Sequence, residues 1–191
     1  MTIIFEKEKV IILKTVRTGS TSLQEYYSFN PDVKITTYNS GHEPLNDLKK
    51  SYDFNECDFK FIFIYRNQIE YVVSLFNKIV GDKRYNTKMV NIIRWLENHS
   101  SKLAFIFFYL IFLRLTEQKY KFKSFTKEQY NSFKHLDLVV LNHKHISELK
   151  KYVSFDYEKY KSFKFELFKP NNINIVPKFL INKIKKEIFR P

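Results

Sequence analysis

The segment from Phe59 to Tyr65 constrains the fold of this chain more than any other. Six of its seven residues are aromatic or β-branched, and no polar residue alternates among its last members. Such side chains suit a pleated backbone, and a strand apolar on both faces has to be covered on both. A sheet built around it needs helices on either side, which is the layering of an α/β domain. The next segment supplies one. Asn67 caps a predicted helix in which Ile69, Val72, Val73, Phe76, Ile79 and Val80 recur at helical spacing, and Gly81 marks its stop.

The same reading extends along the chain. Lys9 to Val16 is a β-branched run of strand length ending at a Thr/Gly/Ser cluster, and Ser20 to Tyr27 reads as a helix capped by Ser20 or Thr21 and closed by Pro31. Val33 to Tyr38 alternates like a second strand, and Pro44 suits the first turn of a short helix reaching Ser51. Met89 to Glu97 is a helix, with Trp95 read as core, Leu136 to Leu141 a buried strand and Ile146 to Val153 the helix after it. From Pro177 the tail is amphipathic, with Phe179, Leu180, Ile184 and Ile188 on one side. Leu103 to Leu113 is apolar but falls short of the roughly 20 residues that span a bilayer, so it reads as a buried helix or strand, with a membrane-surface segment as a rival that the lack of an interleaved lysine-bearing face disfavours. Strand and helix alternate, which predicts an α/β three-layer sandwich with a mainly parallel central sheet and ligands at the carboxyl ends of its strands. No repeat, low-complexity tract or Gly/Ser linker interrupts it, so residues 1–191 are read as a single domain.

Composition narrows the class. An apolar fraction of 44% and an aromatic fraction of 18% exclude a disordered chain. Cys57 is the only cysteine and forms no internal disulfide, and the first residues show no secretory signal. The expected location is cytoplasmic. A net charge of +13 and a pI near 9.6 favour an anionic ligand, although a Lys-, Ile- and Asn-rich composition also accumulates charge without purpose. No zinc-finger spacing, helix-turn-helix signature or RNP-type aromatic motif accompanies that charge, so no specific nucleic-acid partner is expected.

Only three glycines occur in the chain, and Gly19 sits between the first predicted strand and a helix. A loop in that position turns tightly and aims backbone N–H groups and the helix dipole at an anion. Thr18, Ser20, Thr21 and Ser22 add hydroxyl donors, and Lys14 and Arg17 add positive charge. An ATP-type loop needs GxxxxGK[ST], and the second glycine and its lysine are missing. The plain alternative is a strand-turn-helix connection whose hydroxyls cap the helix.

The run Arg17-Thr18-Gly19-Ser20-Thr21-Ser22-Leu23 resembles the 5′-phosphosulfate-binding loop of sulfotransferases, and a second match follows in order: Phe-Ile-Phe-Ile-Tyr-Arg66-Asn67, then Ser74 on the next predicted helix. In that family an Arg at a strand end and a Ser eight residues later hold the 3′-phosphate of the donor. The spacing has a physical basis, because the planar Arg fork grips phosphate oxygens from the strand end and Ser74 lies about two helical turns on. The resemblance runs from about Val10 to Gly81. Val16 and Gln68 stand where the family often has proline, and the Arg-Lys-Gly element of cytosolic members has no clear counterpart. The resemblance implies a P-loop NTPase-like sulfotransferase fold, 3′-phosphoadenosine 5′-phosphosulfate as cofactor with 3′-phosphoadenosine 5′-phosphate as product, and a carbohydrate or other small acceptor.

In-line transfer of a sulfuryl group rests on positioning and on neutralising charge at the leaving oxygen. Arg17 is the first candidate for that role and Lys14 the second, since alternate strand residues face opposite sides. No metal is expected. The acceptor has to lose a proton, and His42, after Gly41, occupies the place where carbohydrate sulfotransferases often carry a histidine. Glu43 and Glu25 are the alternative bases. His143 and His145 alternate at the end of a predicted strand, where they could face a cleft, but beside a lysine they read as solvated loop residues. The expected partner is a small-molecule or glycan acceptor, with no membrane span. Two other readings stay open: a catalytically degenerate nucleotide-binding relative and a basic nucleic-acid-binding domain.

Overall fold

Five strands build one sheet among the residues described by the computed structural model, which are 2–13, 20–36, 45–113, 122–163 and 173–187. They are β1 (Thr2–Phe5), β2 (Val10–Leu13), β3 (Val33–Thr36), β4 (Lys60–Tyr65) and β5 (Leu138–Asn142), ordered β3-β1-β2-β4-β5. The helices are α1 (Ser20–Tyr27), α2 (Leu45–Ser51), α3 (Gln68–Gly81), α4 (Lys88–His99), α5 (Ser101–Phe107), α6 (Phe122–Phe133), α7 (Tyr157–Ser162) and α8 (Lys178–Glu187). Contacts gather into two units, one of Met1–Arg66, Ser124–Phe165 and Pro191, the other of Asn67–Lys123 and Glu166–Arg190. The sequence carries no linker at these borders, because each unit draws on separate stretches of chain.

In the first unit β4 is an interior strand, between β2 and β5, as its composition requires. Phe61, Ile62, Phe63 and Ile64 are each at most 1% exposed, and burying side chains of this size contributes about 2 kcal/mol apiece. Residues Ile3, Ile12, Ile62 and Val139 are register partners across four strands, and they line one face with Leu23 and Tyr27 of α1, Ile146 and Leu149 of the turns His143–Lys151, and Tyr160 of α7. The opposite face is covered too. The Phe61 ring lies 4.9 Å from Phe133, and Phe63 lies 5.5 Å from Tyr130, both on α6. Ser132 Oγ of that helix accepts from the Leu45 N–H at the start of α2, at 3.1 Å. The unit is therefore α/β, with helices on both faces of its sheet.

The sheet is mixed rather than mainly parallel. β2, β4 and β5 run parallel, while β1 lies antiparallel between β2 and β3. β1 escaped the sequence reading because its hairpin turn, Glu6-Lys7-Glu8-Lys9, contains no Gly or Asn; Lys9 itself takes the left-handed position, at φ 55°. Other differences are local. The expected helix at Ile146–Val153 is a 3₁₀ segment, His143–Lys151, with a kink at His145, and α6 and α7 were not foreseen.

The second unit is helical. Asn67 Oδ1 accepts from the Ile69 N–H at 3.0 Å and caps α3, as expected, and Phe76 of α3 meets Phe105 and Phe108 at 5.6 and 5.4 Å. Ser100 serves two helices: its N–H donates to Leu96 O at 2.7 Å, closing α4, and its Oγ accepts from the Leu103 N–H, opening α5. The apolar run Leu103–Leu113 is helical, passing into a π-helical turn at Phe108–Leu113, with Ala104, Phe105, Phe108 and Tyr109 buried. The π-helical turn had no sequence signal. Trp95 is 61% exposed rather than core, because it lies two residues, about 200°, from the buried Ile93. Among the described residues no helix is long and apolar enough to cross a membrane.

Candidate functional site

The carboxyl edge of the parallel strands is the place where this topology gathers chemistry. β2 ends at Leu13, which pairs with Phe63 of β4, and Tyr65 at the end of β4 pairs with Asn142 at the end of β5. Arg66 and His143 are thus the next residues on two adjacent parallel strands, whose spacing is about 4.8 Å. α1 begins at the same edge. Its last residue, Tyr27, packs edge-on to Phe5 at 4.9 Å, and Phe5 pairs with Val10 at the amino end of β2. The helix therefore runs back along the sheet, and its amino terminus lies toward the end where β2 finishes.

Aromatic packing fixes α1 against α7. Tyr26 meets Tyr27, Phe155, Tyr160 and Phe163 at centroid distances of 4.7 to 6.1 Å, all steeply inclined as ring quadrupoles prefer. Its hydroxyl accepts from the Asp156 N–H at 2.8 Å, while the Tyr27 hydroxyl donates to Ser154 O at 3.0 Å. Asp156 then caps α7 by accepting from the Glu158 and Lys159 N–H groups. The consequence reaches Arg66. Tyr160, 3% exposed, has its phenol pushed up to about 12, first by burial and then by Tyr157, while the positive charge of Arg66 pulls the other way. Arg66 thus acts electrostatically on α7 from the end of β4.

The residues named from the sequence fall into three groups. Lys14, Arg17, Thr18, Gly19, His42 and Glu43 lie outside the described residues. Ser20 opens α1, Thr21 is exposed in its first turn, Ser22 is 7% exposed and Glu25 is half-buried in its last turns, where its carbonyl accepts from the Ser28 N–H and hydroxyl. Arg66 is half-buried, with Nε enclosed, and shares the sheet edge with α1. Ser74 is half-buried on α3 and belongs to the second unit, whereas Arg66 is the last residue of the first segment of the other.

From the sequence, His143 was set aside as a solvated loop residue, and Tyr160 was not singled out. His143 is half-buried with Nδ1 enclosed, unlike the exposed His145, which faces Glu148 at 3.5 Å. The available signal for His143 was its place directly after a strand. For Tyr160 the capped helix start Asp-Tyr-Glu-Lys was the only sign. Among the described residues no group of three or more His, Cys, Asp or Glu is placed to hold a metal ion. Compared with protein-family models, with curated proteins and with solved structures, the chain matches none.

Proposed function

We propose that this chain is a sulfotransferase that moves a sulfuryl group from 3′-phosphoadenosine 5′-phosphosulfate to a hydroxyl of a carbohydrate or other small acceptor, on a P-loop NTPase-like fold. The observation that carries the reading is the pairing of β2 with β4. Because the two strands are adjacent and parallel, β2, the strand before the Arg17–Ser22 segment in sequence, ends at the same sheet edge as β4, the strand before Arg66. The strands that precede two sequence elements 49 positions apart, each resembling the element that holds one end of the donor, are neighbours in the sheet.

The groups at this edge fit an anionic nucleotide. Arg66 offers a half-buried guanidinium at the end of β4, and the first turn of α1 has N–H groups without partners inside the helix. In this reading Thr18 to Ser22 hold the 5′-phosphosulfate and Arg66 with Ser74 the 3′-phosphate. The donor supplies the sulfuryl group. Arg17, with Lys14, neutralises charge on the phosphate oxygen as its bond to sulfur breaks, while the acceptor oxygen bonds to sulfur and passes its proton to His42, Glu25 or Glu43.

The test is transfer of label from radiolabelled donor to a glycan panel, with calorimetry of 3′-phosphoadenosine 5′-phosphate alongside. Transfer, abolished or weakened in Arg66→Ala, is the expected result. Absence of both transfer and nucleotide binding refutes the proposal. Binding without transfer to any acceptor supports the degenerate reading, which Val16 and Gln68 favour by replacing the family's prolines.

A further inference from the structure

The charge of this protein is unevenly divided. The second unit holds sixteen Lys and Arg against six Asp and Glu, a net +10, while the first holds seventeen against fourteen, a net +3. Exposed apolar side chains follow the same division. Among the described residues, Ile92, Trp95, Leu103, Leu110, Ile173 and Phe179 of the second unit stand 44 to 68% exposed, against Phe29 and Val140 of the first. Nucleotide chemistry at the sheet edge accounts for neither.

Helix α4 sets one exposed lysine and exposed apolar groups on a single face. Lys88, Asn91, Ile92, Trp95 and His99 recur at positions i, i+3, i+4, i+7 and i+11 and are all exposed, while Val90 and Ile93 hold the helix to its unit. Glu97, the one acid of the helix, lies two residues from Trp95 and so on another side. The His99 ring packs on Trp95 at 4.6 Å and its Nδ1 meets Trp95 O at 2.8 Å, so the indole is braced while remaining 61% exposed. Beyond the Ser100 cap, Lys102 and Leu103 are again an exposed cation and an exposed aliphatic group.

We propose that this face of α4, with Lys102 and Leu103, docks the protein on the surface of an anionic lipid bilayer. Lysines attract acidic headgroups, and an indole with aliphatic neighbours partitions into the boundary between headgroups and acyl chains. Nucleic acid is served less well, since Ile92 and Leu103 offer neither a stacking surface nor a hydrogen bond. With 12 residues, and no spanning helix among the described residues, α4 lies on the surface rather than crossing it. This inference stands independently of the sulfotransferase reading.

Trp95 is the only tryptophan, so tryptophan emission, excited selectively over the tyrosines, reports on this face alone. The full chain is titrated with phosphatidylcholine vesicles with and without phosphatidylserine, and with a single-stranded oligonucleotide, at low and high salt. The expected result is a blue shift and co-sedimentation with the anionic vesicles, both suppressed by high salt. Trp95→Ala weakens co-sedimentation about tenfold, and Lys88→Ala with Lys102→Ala weakens it roughly 30-fold. All three side chains are exposed, so the variants keep the wild-type circular dichroism. An unshifted emission with anionic vesicles, an equal shift with neutral ones, or a shift with the oligonucleotide alone overturns the proposal.

Discussion

Arg94 ties the end of α3 to α4, and removing it tests how the second unit is held together. The last carbonyls of a helix have no partner within it. Here Arg94 Nε donates to Val80 O at 2.8 Å and Nη2 to Asp82 O at 2.8 Å, with a longer contact from Nη2 to Ile79 O at 3.4 Å. Hydrogen bonds from a charged donor are worth about 1.5 kcal/mol or more each, so Arg94→Ala costs about 3 kcal/mol. For a chain of this length that corresponds to a drop in Tm of roughly 6 to 12 °C. Arg94→Lys retains the charge but not the fork, and recovers only part of the loss. Urea denaturation followed by circular dichroism gives the free energies, and hydrogen exchange at the Asp82 amide, which donates to Lys78 O at 2.9 Å, reports the helix end directly. A free energy for Arg94→Ala within about 0.5 kcal/mol of wild type, with unchanged exchange, means that water serves those carbonyls equally well and refutes the reasoning.

Other expectations follow from single contacts. The Asp82 carboxylate accepts from Arg84 Nε, Nη2 and backbone N–H, and these bonds lower its pKa from 3.8 to about 2. Its contribution is therefore complete above about pH 4 and lost as pH falls toward 2, so Asp82→Asn flattens the acid limb of a stability profile between those values and meets wild type at its lower end. Tyr27→Phe removes the donor to Ser154 O and lowers stability by about 1 kcal/mol with little change in the far-ultraviolet spectrum. In the proposed reaction, Arg66→Ala raises the Kd for 3′-phosphoadenosine 5′-phosphate by 10-fold or more (about 1.4 kcal/mol) in calorimetry, whereas His42→Ala lowers turnover with affinity retained. Equal turnover in His42→Ala and wild type moves the base to Glu25 or Glu43.

What the sequence by itself determined is local. The helix at Ser20–Tyr27, the cap at Asn67, the helix through Gly81 and the buried strand before Arg66 were legible because each depends on residues within a few positions of one another. The two candidate motifs were legible for the same reason. Tertiary structure decided everything that depends on pairing. That β1 lies antiparallel inside the sheet follows from backbone hydrogen bonds to β2 and β3, and a lysine at its left-handed turn position hides the hairpin from composition. Whether Trp95 is buried depends on which side of α4 meets the rest of its unit, and Val90 and Ile93 won that contact. Likewise, Arg66 and His143 follow paired residues only because β4 and β5 align Tyr65 with Asn142, a register that no window of sequence around either residue contains.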